Sequence, residues 1–455
     1  MLKTRTNVNN SPKEPLVKNG EMNKLFEDDK AAHRWYRFVL SYPPHLVRQY
    51  LEEFGMSERH CVLDPFCGTG TTVVECKKFG IPSIGVEANR MAFFACTVKV
   101  DWNFRPSVLK QLANRIADQT LELFSRDNIS DDSTFFKSEK PALPKQLKVL
   151  SEEQQKLILK NSISPLPLHK TLLLLERIEQ HKQSRFYSLL RLALAKAVVL
   201  TSSNLHFGPE VGVRAPKPDA PVVAPWLAAI DEMIDDVKEL SKKTSATVDL
   251  YWADARDIHQ YVSPNSVDAV ITSPPYPNEK DYTRTTRLES VLLNFIQNKA
   301  ELRAMKHELI RSNTRNVYKG DDDHVWIQDH KSINRIADKI EKRRVELGKT
   351  SGFERLYAKV TKLYFGGMAR HLAQLREILR PGAHLAYVVG DQASYLRVMI
   401  RTGELLAEIA VTLGYKVVRI DLFRTRLATA TKEMMREEVL VLQWPGYRKS
   451  LRSKS

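Results

Sequence analysis

The chain has 455 residues, 43% of them hydrophobic, and a formal net charge of +16. This length supports a large core and more than one domain, and the charge favours a polyanionic partner, though ribosomal and membrane-surface proteins share it. Its four cysteines (Cys61, Cys67, Cys76 and Cys96) form no Cys-x-x-Cys pair, which argues against a zinc site or disulfide framework and for a reducing compartment. The N-terminus lacks an apolar core of signal-peptide length and no run is long enough to span a bilayer, so a soluble, cytoplasmic protein is expected.

Residues 1–30 are polar and aperiodic and suggest a flexible leader. His33-Arg34-Trp35-Tyr36-Arg37-Phe38 leads into Ser41-Tyr42-Pro43-Pro44, with a helix expected just past the prolines. Cys61 to Glu75 has the pattern strand, tight loop, helix. Gly68 and Gly70 let the backbone turn sharply and expose amides at a helix N-terminus. No Gly-Lys-Ser/Thr follows, which disfavours a P-loop. Asp64 opens the loop and suits a cationic group. The next strand, Ser83 to Glu87, ends in an acid roughly 20 residues past the glycines, the ribose-hydroxyl position of a nucleotide-binding βαβ unit.

Residues 103–246 interrupt the α/β rhythm with a mainly helical insertion, notably Leu172 to Ile178 and Phe186 to Leu200. Loop chemistry at Ser202 to Pro209 breaks that pattern, and a basic stretch follows at Arg214-Ala215-Pro216-Lys217-Pro218. The sheet resumes at Val248, where Asp254, with Asp257 as an alternative, is placed to hold an amine. Val267 to Ile271 forms a buried strand that ends in Thr272-Ser273-Pro274-Pro275-Tyr276. Ligands of open α/β sheets bind at such strand ends. Two prolines fix φ and remove donors, leaving carbonyls free to accept. A stiff acceptor loop beside an aromatic ring suits a planar group carrying an NH2, such as a nucleobase. A second insertion, 287–365, is basic and helical. Its Asp321-Asp322-Asp323-His324 run is rejected as a metal site, because consecutive acids on a loop rarely converge on one ion. From Leu375 the α/β rhythm returns: a helix ends at Leu379 to Gly382, a strand spans His384 to Asp391, and a helix spans Glu404 to Leu413. Tyr415 to Leu422 and Val439 to Trp444 are the last strands, an antiparallel edge pair, before a basic tail at Arg448 to Arg452.

Asp64-Pro65-Phe66-Cys67-Gly68-Thr69-Gly70-Thr71-Thr72 together with Ser273-Pro274-Pro275-Tyr276 resembles the S-adenosylmethionine-dependent DNA amino-methyltransferases. The Ser-first, Thr-preceded loop is most similar to those acting on the cytosine 4-amino group; adenine enzymes more often begin it with Asp or Asn. The resemblance covers 33–102, 247–286 and, more loosely, 366–445. It implies a Rossmann-like doubly wound α/β sheet with two mostly helical insertions. The cofactor half then spans 31–102, the catalytic half 247–286, and 366–455 completes the sheet; 287–365 is a candidate for target recognition, and 103–246 either scaffolds the sheet or contacts DNA.

By this resemblance, S-adenosyl-L-methionine lies against Tyr36, Pro44, Asp64, Pro65, Phe66, Gly68, Thr69, Gly70, Thr71, Glu87 and Asp254, with Asp64 facing its amino group. Ser273, Pro274 and Pro275 hold the target amine, and Tyr276 stacks on a flipped base. Arg284, Arg311, Arg315, Arg424 and Arg426 are the candidate contacts to double-stranded DNA. The expected protein is a metal-free monomer, with a cognate restriction endonuclease as a candidate partner. Carbon-5 chemistry would need a Pro-Cys pair, which is missing. Enzymes with Ser-Pro-Pro-Tyr often place the catalytic half first, whereas here the glycine loop precedes it, so adenine stays open. Two further readings compete with a DNA enzyme: a base-amine RNA methyltransferase and a non-catalytic nucleic-acid-binding protein.

Overall fold

The computed structural model describes residues 24–36, 41–131, 146–207, 210–242, 246–278, 280–427 and 433–447. Most of the expected leader, the basic tail Arg448 to Arg452, and Arg37, Phe38, Gly208 and Pro209 lie outside them. The strands are β1 (Val62–Asp64), β2 (Ser83–Val86), β3 (Leu205–Phe207), β4 (Val211–Val213), β5 (Val248–Tyr251), β6 (Val267–Thr272), β7 (Leu379–Gly390), β8 (Lys416–Leu427) and β9 (Met434–Gln443).

Every residue of β1 and β2 is buried, as are all of β6 but Asp268. These short apolar runs lack alternation because helices cover both sheet faces. They build one seven-stranded sheet in the order β5-β2-β1-β6-β7-β9-β8. β5, β2, β1, β6 and β7 run parallel, while β9 is antiparallel to both its neighbours. The last two strands are the expected antiparallel pair, with β9 inserted between β7 and the edge strand β8. Strand order reverses between β1 and β6, paired at Val62↔Ala269 and Leu63↔Val270. From β1 the chain moves outward to β2 and from β6 to β7 on the other side, which opens a crevice at their C-terminal ends.

On one face, the helix Pro44–Glu53 buries Leu46, Val47, Tyr50 and Leu51 against β6 and β9 residues such as Ile271 and Val441. It starts at Pro44, whose missing N–H costs nothing in a first helical turn. The helices Tyr357–Ile378 and Thr402–Thr412 cover the opposite face around Leu63, Val270 and Leu385. A further apolar cluster joins the helices Pro106–Arg126, Pro165–Glu179, Tyr187–Ala197 and Val223–Leu240 to the helix Arg90–Lys99.

Within the expected loop at Ser202 to Pro209, Leu205–Phe207 instead pairs antiparallel with Val211–Val213. Strands of three residues carry too little alternation to show in sequence. Among the described residues no helix is long and apolar enough to cross a membrane.

Candidate active site

β1 delivers Asp64 to the crevice, but the carboxylate is 0% exposed. Its Oδ1 accepts from the Thr272 hydroxyl at 2.5 Å and the Phe66 amide at 3.1 Å, and its Oδ2 accepts from the Tyr42 hydroxyl at 2.8 Å. Tyr42 also meets the Thr72 hydroxyl, which donates to the Ile271 carbonyl at 3.0 Å. Asp64 therefore ties the end of β6 to the glycine loop. Burial raises its pKa, outweighing the hydrogen bonds from Thr272 and Tyr42 that favour the anion.

The loop beyond it folds tightly because Gly68 and Gly70 take φ of +52° and +90°. A Cβ on Gly70 would also lie 2.7 Å from Cys96 Sγ. Glu87, at the end of β2, accepts from the Gly68 amide at 2.8 Å and the Asn89 amide at 2.7 Å. The second acid thus locks the same loop in shape. Burial pushes its carboxyl from 4.5 up to about 7. A raised carboxyl pKa means that the folded state holds the proton more tightly than the unfolded chain. The resulting stabilisation is fully present below about pH 4.5 and is lost as pH rises through about 7. Glu289, also raised by burial to about 7, contributes with the same sign. Glu87→Gln is expected to flatten, without abolishing, the fall in thermal denaturation temperature across this window; an unchanged profile would show that Glu87 does not titrate there.

A cavity of about 390 Å³ opens over these strand ends. Pro65, Phe66, Gly68, Thr69, Thr71, Glu87 and Asp254 line it together with Ser273, Pro274, Pro275 and Tyr276, so the glycine loop and the Pro-Pro loop share one chamber. Ser273 donates its hydroxyl hydrogen to the Val388 carbonyl at 3.2 Å. The Tyr276 amide donates to the Tyr282 hydroxyl at 3.0 Å. Its ring lies so close to Gly390 that an added Cβ there would approach Cε2 to 2.9 Å. Burial, and then Glu437, raise the Tyr276 phenol, which stays protonated.

Four expected cofactor contacts stand elsewhere. Tyr36 is buried with its hydroxyl on Glu289 at 2.5 Å. Pro44 is taken into a helix start, while its neighbours Ser41 and Tyr42 line the cavity. Asp64 is fully buried, held by its hydroxyl and amide partners, and is not among the residues that line the cavity. Gly70 caps the helix Thr71–Lys78 behind the chamber. Asp254 does line the cavity, though Arg256 grips its carboxylate at 2.5 Å; Asp257 pairs instead with Arg370.

The arginines also divide. Arg424 and Arg426 line the cavity beside Glu437. Arg311 is turned inward: its side chain is 3% exposed and bridges to Asp321 at 3.0 Å, so it is not a surface contact. Arg315 is exposed beside the Phe353 ring, and Arg284 is half-buried outside the lining. Residues to which the sequence gave no role are Thr72 and Thr272 at the Asp64 hub, and Lys280, Gln392, Phe423 and Glu437 in the chamber. Gln392, Phe423 and Glu437 come from far along the chain, where no local pattern marks them.

A family model for DNA methylases of the N6 and N4 type matches residues 6–94. The chain is 24% identical over 445 residues to the type II methyltransferase M.BsoBI of Geobacillus stearothermophilus, covering 89% of this chain and 83% of that protein. It is 23% identical over 442 residues to the type II methyltransferase M.AvaI of Nostoc, with the same coverage. A shorter match, 31% over 107 residues, reaches the type II methyltransferase M.MjaII of Methanocaldococcus jannaschii, covering 23% of this chain and 19% of that protein. These matches support the S-adenosylmethionine-dependent DNA amino-methyltransferase family for this chain. Its methyl donor is accordingly S-adenosylmethionine. The strand order and the reversal between β1 and β6 give this DNA amino-methyltransferase its Rossmann-like sheet.

Proposed function

We propose that the protein methylates the exocyclic 4-amino group of cytosine at a specific site in double-stranded DNA, with the base flipped out. The observation that carries this reading is the hydrogen bond from Ser273 to the Val388 carbonyl, inside the chamber shared with the glycine loop. By giving its hydrogen to the strand, Ser273 keeps a lone pair for a donor in the cavity, beside the Tyr276 hydroxyl that also stands against it. The cytosine amine is a weak nucleophile because its lone pair is delocalised into the ring. Accepting its two hydrogens at Ser273 Oγ and the Pro274 carbonyl draws the nitrogen toward a tetrahedral, nucleophilic geometry. Pro275 stiffens that loop, and Tyr276, braced by Gly390, offers a face on which the base stacks.

The chamber suits S-adenosylmethionine in its donor set. Amides and small side chains at Gly68 to Thr71 admit a backbone-close ligand, Glu87 offers carboxylate oxygens to ribose hydroxyls, and Asp254 accepts from an adenine amine. When bound, the cofactor supplies an electrophilic methyl on a sulfonium. Residues 31–102 and 247–286 then act as the cofactor and catalytic halves, and 287–365 contributes to target recognition. As a type II methyltransferase, the protein would act as a cytoplasmic monomer in a restriction-modification role, with a cognate endonuclease sharing its site.

The test is incubation with unmethylated DNA and labelled S-adenosylmethionine, followed by nucleoside mass spectrometry. A 4-methylcytosine product is expected. 6-Methyladenine would overturn the base assignment and keep the chemistry, whereas methyl uptake by RNA alone would overturn the DNA substrate.

The cavity-rim arginines make a separate prediction. Arg424 is neutralised by Glu437 at 2.5 Å, while Arg426 stands 3.9 Å from it and is 44% exposed. Arg426→Ala should reduce the slope of log affinity against log salt by about 1, the signature of one lost phosphate contact. Arg424→Ala should change it less. Equal slopes for wild type and Arg426→Ala in a salt titration would remove Arg426 from the DNA interface.

A further inference from the structure

Two buried amide side chains in the chamber have no part in the chemistry above. Gln392 is 3% exposed, lines the cavity, and has an Nε2 with no hydrogen-bond partner among the described residues. Asn316 is 1% exposed, lines the same cavity, and leaves its Oδ1 likewise unpartnered. Buried polar groups without partners are uncommon in folded proteins, and each calls for an explanation.

Both residues are firmly placed. The backbone of Gln392 exchanges hydrogen bonds with Ile400 at 3.0 and 2.7 Å. Tyr395, from the same loop, donates to the Ser312 carbonyl at 2.8 Å and so ties this loop to the segment that carries Asn316. Gln392 follows β7, which flanks β6 on the side away from β1. It therefore stands across Ser273 from Glu87 and the glycine loop, in the half of the chamber left for the base.

Resting on the proposed methylation of a base amine, we infer that Gln392 is a specificity-determining residue whose side-chain amide donates to the ring nitrogen next to the target amine. Cytosine and adenine carry a lone pair on that nitrogen. Thymine and guanine carry an N–H there, which would set donor against donor. A donor at Gln392 thus admits cytosine and adenine, whose C4 or C6 amine adjoins a ring acceptor, and opposes thymine and guanine, which present a carbonyl beside N–H on that edge. Asn316 keeps this half of the chamber polar, so it accepts a hydrogen-bonding edge in preference to an apolar group.

The test uses the full chain and a duplex carrying its mapped methylation site, in which the target base is replaced by the deaza analogue with C–H for that ring nitrogen and the amine retained. For wild type, the analogue is expected to lower kcat/KM roughly 10- to 100-fold. Gln392→Leu should lose a similar factor on natural DNA and show an analogue penalty at least about tenfold smaller than that of wild type, because the contact is already gone. Any effect of the analogue on amine reactivity cancels in that comparison. An equal analogue penalty in wild type and Gln392→Leu overturns the inference. Gln392→Glu preserves shape while replacing the donor with an acceptor, and should be as poor as Gln392→Leu with unchanged S-adenosylmethionine affinity; full activity in it also overturns the inference. A wild type that methylates no base amine defeats the proposed function itself, whereas one that methylates normally and ignores both changes removes only Gln392.

Discussion

Ser273→Ala is expected to lower the single-turnover rate of methyl transfer about 100-fold, since one preorganised hydrogen bond to the reacting group is lost. The dissociation constant for S-adenosylmethionine should stay within about twofold, because the residues proposed to hold the cofactor lie on the other side of the Pro-Pro loop. Removing the hydroxyl deletes the acceptor for one amine hydrogen and leaves the Pro274 carbonyl to hold the amine alone. The cost to folding is small, because the hydroxyl's bond to the Val388 carbonyl is long, at 3.2 Å. Single-turnover kinetics beside a cofactor titration separate the two effects. A variant that keeps the full rate would show that Ser273 does not touch the reacting amine. One that loses rate and cofactor affinity together would place Ser273 in the cofactor half.

Gly366→Ala is the second large expected effect, and its sign runs against ordinary helix chemistry. Gly366 lies inside the helix Tyr357–Ile378, where Ala is usually preferred over Gly by about 1 kcal/mol. Here a Cβ would sit 2.0 Å from the Asp323 carbonyl oxygen and 2.9 Å from the His324 amide nitrogen. Both obstacles are backbone, so no rotamer relieves them. Overpacking of this kind costs about 3 kcal/mol or more and outweighs the propensity gain. The displaced segment also carries the Asp323 carboxylate, which grips Arg256 at 2.5 Å, and Arg256 in turn holds Asp254 at 2.5 Å in the cavity wall. Chemical denaturation should show the lost stability, and calorimetry a weakened S-adenosylmethionine affinity in the folded fraction. A variant as stable as wild type would mean that the 323–324 segment moves away freely.

Much of the site is legible because it is written in short contiguous strings. Gly68 and Gly70, two residues apart just after a strand, suit a positive-φ turn, and Glu87 marks the end of the next strand. Ser273 to Tyr276 declares a rigid acceptor loop because proline fixes its own torsion. Each of these is a property of the local backbone. The direction of Asp64 is not local. An acid at the head of a ligand loop suggests a cation, yet Tyr42 and Thr272, from two distant stretches, join the neighbouring Phe66 amide around it. Arg311 misleads for the same reason: a basic residue in a basic insertion looks solvent-facing until Asp321 and the carbonyl of Lys306, 2.8 Å away, are folded around it.

The sequence by itself determined the family, the sheet type and the two loops that face each other across the chamber, since hydrophobic runs, glycines and prolines act over a few residues. Only the tertiary structure decided which side chains complete that chamber. Val388, Gln392, Phe423 and Glu437 arrive there from β7, the loop after it, β8 and β9, more than about 100 residues along the chain from Ser273. Their meeting depends on strand order and register, in which Thr272 pairs with Tyr387 and so brings Ser273 beside Val388. Such pairing is set by the packing of the whole sheet, and a one-residue slip would send each of these side chains to the opposite face.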